Sequence, residues 1–141
     1  MYLDTSVAAK LYFNEPESPR ISALLAASKA ELCSSELLIS EFHSVACRKL
    51  REKLITQRQL RDVIEQFAEH DKNGNWHLYP VTRKTLKTAG GLIERLSGCV
   101  GLKTLDAIHL ATCLDYSLSP LFTTDKIMLA AARELKLRIV T

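Results

Sequence analysis

Short apolar runs alternate along this chain with longer stretches in which apolar residues recur every three or four positions. Five of the short runs read as strands: Met1 to Leu3, Glu31 to Ser34, Trp76 to Val81, Leu121 to Thr123 and Arg138 to Val140. The stretches between them carry a helical period. The first covers Val7 to Tyr12 and stops at the turn signal Asn14-Glu15-Pro16, and the second runs from near Pro19 to about Ser28. The third opens at Ser34 or Ser35, residue types suited to cap a helix, and continues through Leu54. Thr56 opens a fourth that ends around Asp71, before Asn73-Gly74-Asn75. Arg83 to Leu96, Thr104 to Tyr116 and Lys126 to Leu135 complete the set. Strands alternating with helices predict crossover connections and a mostly parallel sheet of about five strands in a three-layer α/β/α sandwich. The two consecutive helices after Ser35 form a hairpin that must pack outside the sheet or against a second copy.

Two of the strand-like runs end alike. Met1-Tyr2-Leu3 leads into Asp4-Thr5-Ser6, and Leu121-Phe122-Thr123 leads into Thr124-Asp125. In a parallel sheet both acids lie beyond the carboxyl ends of strands, where open α/β folds bind ligands. Each also has a plain alternative as a helix N-cap, accepting from the first amides. Glu41 falls at the edge of the core-facing stripe of its helix, stacked between Leu37 and Val45 and beside Phe42. A carboxylate there is costly unless it is paired or bound to a cation, so the choice is a salt bridge, to Arg48 or to a neighbouring helix, or a site. Asp106 leads a helix that is apolar on nearly every side from Leu105 to Leu114, so that helix belongs in the middle of the molecule. Answering the helix dipole is worth roughly 0.3–1 kcal/mol, which suits an exposed first turn better than this one.

Length and composition narrow the setting. A chain of 141 residues, 47% of them hydrophobic, fits one domain spanning 1–141 with a real core. The net charge of +3 is mild, but 16 acids include the four above, so the remaining 12 face 19 Lys and Arg. A basic surface around an acidic pocket suits a polyanion held by its phosphates. Cys33, Cys47, Cys99 and Cys113 show neither a C-x-x-C pair nor ligand spacing, and read as the thiols of a reduced intracellular protein. No leader pattern and no apolar run near ~18 residues is present, which makes the cytoplasm, with no membrane span, the expectation.

In order and spacing, four pieces together resemble the PIN-domain ribonucleases, in particular the VapC-type toxins of toxin–antitoxin pairs. They are Tyr2-Leu3-Asp4-Thr5-Ser6, then Ser35 with Ser40-Glu41-Phe42, then Leu105-Asp106-Ala107-Ile108-His109-Leu110-Ala111, and Thr123-Thr124-Asp125 before a short helix. The resemblance spans essentially the whole chain. It implies a doubly wound parallel sheet and an acid cluster holding Mg²⁺ or Mn²⁺ for endonucleolytic cutting of RNA. Asp4, Glu41, Asp106 and Asp125 fall on the four acidic positions, with Asp4 and Asp106 as principal ligands and the other two completing the set directly or through water. Ser6 and Thr123 match hydroxyl positions suited to orient a carboxylate or a water. Lys103 stands where many relatives carry Arg, a departure from the family pattern beside Asp106.

The chemistry so implied is two-metal hydrolysis, with ions about 3.5–4 Å apart and a 3′ oxygen as leaving group. It requires no histidine base. His109 shares a helix with Asp106, and its two readings are a ligand or a buried, hydrogen-bonded core residue. Lys10, Arg48, Lys49, Lys103 and Lys126 are candidates for phosphate contacts, with ordinary surface charge as the alternative. A haloacid-dehalogenase phosphatase needs a second Asp at the position of Ser6, and a receiver domain needs an acidic pair near its first strand. Neither is present. The remaining alternative is a module of the same fold that binds RNA or metal without cutting. The apolar hairpin residues, among them Leu38, Phe42, Leu54, Ile64 and Phe67, exceed what one sheet face needs. The resemblance accordingly suggests a homodimer and an antitoxin whose segment blocks the acidic crevice.

Overall fold

The computed structural model describes residues 1–140. Its sheet consists of β1 (Tyr2–Leu3), β2 (Cys33–Ser35), β3 (His77–Tyr79) and β4 (Leu121–Phe122), all parallel and ordered β3-β2-β1-β4. Seven α-helices surround it: α1 (Thr5–Ala8), α2 (Ser18–Ser28), α3 (Leu37–Arg51), α4 (Gln57–Lys72), α5 (Arg83–Leu96), α6 (Thr104–Asp115) and α7 (Lys126–Glu134). A 3₁₀ turn over Ala9–Leu11 continues α1.

The pleat sends successive residues to opposite faces. Tyr2 and Leu121 face one core, with Leu92, Ile108, Leu110 and Met128 from α5, α6 and α7. Leu3 and Phe122 face the other, with Val7, Ile21, Phe42 and Phe67 from α1 to α4. Burying one such side chain is worth roughly 1.5–3 kcal/mol, so the two covered faces hold together strands of only two or three residues. The expected sandwich is therefore present, with its central helix as anticipated: every residue of α6 from Ala107 to Cys113 is buried. Leu105 and Leu114, at its two ends, are exposed.

The fifth run is the main departure from the five strands expected. Arg138 to Val140 contributes only an isolated bridge between Ile139 and Leu121, supported by hydrogen bonds from Leu121 N to the Arg138 carbonyl and from Val140 N to the Leu121 carbonyl, both 2.9 Å. A partner strand of two residues leaves no ladder to extend. Helix bounds also shift. The third helix, expected to open at Ser34 or Ser35, begins at Leu37 after Glu36, because both serines belong to β2. The first helix starts at Thr5 because Asp4 caps it, and α3 stops at Arg51 because Lys53 takes a left-handed φ of 59°. Thr56 caps α4 as expected, in a reciprocal box with Gln59.

The α3–α4 hairpin packs onto the second core. Phe42 and Phe67 stack at 4.3 Å between ring centroids and are buried with Leu38, while Leu54 remains 64% exposed. Most of the apolar excess is thus absorbed within the chain. All four cysteines are free. Among the described residues, no helix is long and apolar enough to cross a membrane.

Candidate active site

From β1 the chain moves outward through β2 to β3, and β4 then returns to the other side of β1. The carboxyl ends of β1 and β4 therefore border the topological switch point, where a crevice opens between diverging connections. Asp4 follows β1 directly, and Thr123-Thr124-Asp125 follow β4. The buried α6 supplies Asp106 from its first turn, and α3 supplies Glu41. All four acids line one cleft of about 560 Å³, together with Thr5, Ser6, Arg48, His109 and Thr124. The sequence-selected acids are thus brought together.

Asp4 is 3% exposed, and three donors hold its carboxylate. Ser6 Oγ donates to Oδ1 at 2.8 Å, Val7 N to the same oxygen at 3.1 Å, and Thr123 Oγ1 to Oδ2 at 2.6 Å. The two hydroxyls chosen from the sequence both orient this acid. They also tie the loops together: Thr124 N donates to Ser6 Oγ at 3.1 Å, and Asp125 N donates to Thr123 Oγ1 at 3.0 Å. Asp4 and Asp125 are N-caps as well as cleft residues, since Asp125 Oδ1 accepts from Met128 N at 2.8 Å. Capping uses one oxygen of each acid; the other accepts from Thr123 in Asp4 and has no hydrogen bond among the described residues in Asp125.

Glu41 is half-buried, and it does have the inter-helix partner that formed its plainer reading. That partner is His109 on α6, not Arg48: His109 Nε2 lies 2.7 Å from Glu41 Oε2, and Thr5 Oγ1 donates to the same oxygen. On its other side His109 Nδ1 lies 2.6 Å from the Tyr2 hydroxyl. His109 is 2% exposed, a core histidine with both nitrogens engaged. Tyr2, Thr5 and Thr124 are site neighbours that sequence reasoning missed. A tyrosine alternating into a strand carries no sign that it will meet a histidine 107 positions away.

The charges bear on one another. Burial pushes the Asp4 carboxyl up despite its hydrogen bonds from Thr123 and Ser6. Burial likewise raises that of Asp106, reinforced by the negative charges of Asp125, Glu41 and Asp4 and opposed by His109. For Glu41 burial pulls upward too, but the His109 and Thr5 contacts outweigh it and hold the group below the ordinary carboxylate value.

This donor set suits a hard divalent cation, which takes oxygen ligands from carboxylates. Hydrogen bonds occupy one oxygen of Glu41 and one of Asp125, and none among the described residues engages Asp106. In their present rotamers, however, no three His, Cys, Asp or Glu side chains among the described residues converge into a ready-made cage. Of the candidate phosphate contacts, Lys10 pairs with Glu17 and Lys49 with Glu15. Arg48 lines the cleft, and Lys103 and Lys126 are exposed outside its lining.

Comparison with known proteins bears on the fold and the family. The PIN domain family matches residues 1–134. Ribonuclease VapC46 of Mycobacterium tuberculosis is 32% identical over 144 residues, covering 99% of this chain and 95% of that protein. Among solved structures, VapC20 of M. tuberculosis, described as a sarcin-ricin loop cleaving toxin, superposes with a TM-score of 0.72 at 18% identity, over 92% of this chain and 93% of that one. FitAcB from Neisseria gonorrhoeae gives 0.72 at 16% identity over 99% and 96%, and a toxin-antitoxin complex from Klebsiella pneumoniae gives 0.65 at 18% over 99% and 95%. At those identities the structures speak for the fold. The family match, by contrast, runs past both Asp4 and Asp125, and the chain belongs to the PIN-domain family.

Proposed function

We propose that this PIN-domain protein is an endoribonuclease that uses Mg²⁺ or Mn²⁺ and acts as the toxin of a toxin–antitoxin pair. One observation carries the reading: four carboxylates from four separate parts of the chain line a single cleft at the switch point of the sheet. The full-length relative named a ribonuclease, and the structural neighbours named as toxins, support it.

Asp4 and Asp106 are the principal ion ligands in this reading, and Glu41 and Asp125 complete the set. A bound divalent ion there would acidify water and stabilise charge on a phosphate. The chain's own part is to hold the acids. Ser6, Val7 and Thr123 fix Asp4, and His109 and Thr5 fix Glu41. Arg48 at the cleft supplies a cation for the RNA backbone. His109 has no free nitrogen to act as a base.

The alternative, a module that binds RNA or metal without cutting, has one observation in its favour: no three acidic, His or Cys donors converge in the present rotamers among the described residues. Incubation of single-stranded RNA with the purified chain and Mg²⁺ or Mn²⁺ separates the two. Cleavage that EDTA stops, and that Asp4→Asn and Asp106→Asn each reduce at least about 100-fold, is the expected result. RNA left whole by unmodified protein shown free of antitoxin leaves the binding module standing. The same reading assigns a cognate antitoxin, a homodimer and a cytoplasmic setting. Sedimentation of the purified chain, alone and with the product of an adjacent small gene, tests both assemblies.

A further inference from the structure

The four cleft acids differ in what holds them. Asp125 is fixed by the Met128 amide next to it in sequence, as a helix cap is, and Asp4 by Ser6 and Val7 beside it together with Thr123 across the cleft. Glu41 stands within α3, where no local amide is free to bind it, and its orientation depends on Thr5 of α1 and His109 of α6. There a hydrogen-bonded row runs from the Tyr2 hydroxyl to His109 Nδ1, at 2.6 Å, and from His109 Nε2 to Glu41 Oε2, at 2.7 Å. Tyr2 is fully buried and His109 2% exposed, so neither ring is free to turn. The Tyr2 and His109 rings meet edge to face, with 5.8 Å between centroids.

Bonding partners decide the tautomer. A carboxylate only accepts, so Nε2 carries a hydrogen and donates to Glu41. In the neutral ring Nδ1 then accepts from the Tyr2 hydroxyl. Both hydrogen bonds to Glu41, from His109 and from Thr5, fall on Oε2, and none among the described residues engages Oε1. The histidine thus fixes one oxygen and leaves its twin for the cleft.

We propose that His109, locked by Tyr2, is a positioning residue that orients Glu41 toward the divalent-ion site. The proposal rests on the reading of the cleft as such a site. Histidine here acts from behind a ligand instead of as one. Outer-shell partners of this kind typically change metal affinity by about 10–100-fold when removed.

Mn²⁺ binding to the intact chain, titrated by electron paramagnetic resonance of the free ion, tests it without recourse to cleavage. His109→Leu keeps the bulk and removes the donor, and is expected to weaken Mn²⁺ binding about tenfold. His109→Gln presents an amide N–H near the place of Nε2 and is expected to stay within about threefold of the unmodified protein, a rescue that simple core packing does not produce. Tyr2→Phe removes only the hydroxyl that fixes the ring, and is expected to shift binding in the same direction by a few-fold. A lowered melting temperature with unchanged Mn²⁺ affinity in His109→Leu overturns the proposal, as does a His109→Gln protein that binds as weakly as His109→Leu. If His109→Leu does not fold, Tyr2→Phe decides, and unchanged affinity there overturns the proposal. Unmodified protein that binds no Mn²⁺ overturns the ion-site reading and this inference together. Binding that is normal in every variant overturns this inference alone.

Discussion

The Thr123 hydroxyl donates to Oδ2 of Asp4 at 2.6 Å, joining two residues 119 positions apart. Both are buried. The bond fastens the loop after β4 to the loop after β1 and sets one wall of the cleft. Thr123→Val keeps the shape and removes the donor. A buried acceptor that loses a partner costs about 1–3 kcal/mol, and that loss of stability is expected in urea denaturation. The double substitution of Thr123→Val with Asp4→Ala should cost much less than the sum of the two single ones. Full additivity would show that the bond does not couple the two loops.

Asp106 carries the opposite burden. Burial and the neighbouring charges of Asp125, Glu41 and Asp4 raise its carboxyl in the folded chain, so ionised Asp106 lowers stability at neutral pH. Asp106→Asn is therefore expected to stabilise the ion-free protein by less than about 1 kcal/mol, since solvent screens a half-buried group, while it reduces cleavage at least about 100-fold. A destabilised Asp106→Asn protein would contradict the charge argument.

The sign of that effect sets its pH dependence. A carboxyl raised on folding costs stability above its folded value, and the cost disappears as pH falls toward the unfolded value near 3.8. The advantage of Asp106→Asn should shrink over that fall. Glu41 behaves in the reverse sense. Its folded value lies below the ordinary 4.5, so its contribution is present above 4.5 and lost as pH falls through the folded value. The penalty of Glu41→Gln should then close only in that lower window. Urea titrations of the three proteins from neutral to acid pH measure both trends.

Ion binding should appear as stability. A ligand that binds only the folded chain adds about 2.7 kcal/mol at 100 times its Kd. Mn²⁺ is expected to raise the melting temperature, EDTA to reverse the rise, and Asp4→Asn to remove it. An equal rise in Asp4→Asn would place the ion outside this cleft.

The hairpin core offers a control remote in chemistry. Phe42 is fully buried and stacked on Phe67. Phe42→Ala is expected to cost about 3–5 kcal/mol, measured by urea denaturation. A much smaller loss would mean that the hairpin is loosely docked and that its apolar face has another use.

The chain's pattern by itself determined a great deal. Short apolar runs alternating with stretches of helical period specified the layers, because a strand apolar on both sides must be covered on both and a helix must bury its apolar face. Asp4 and Asp125 stood out because each follows a strand-like run at the head of a helix, and Glu41 and Asp106 because each sets a charge against an apolar helix face, where an isolated charge is costly. Tertiary structure alone decided the rest. Arg138 to Val140 forms one bridge, since its length of ladder depends on how far β4 runs beside it. Glu41 chose His109 over Arg48 because α6 crosses α3 at that point. Lys10 and Lys49 found acids of their own in the loop after α1 and at the start of α2. Local periodicity reports which face of an element is buried, but a hydrogen bond between distant residues depends on the relative placement of two elements, which no window of neighbouring residues contains.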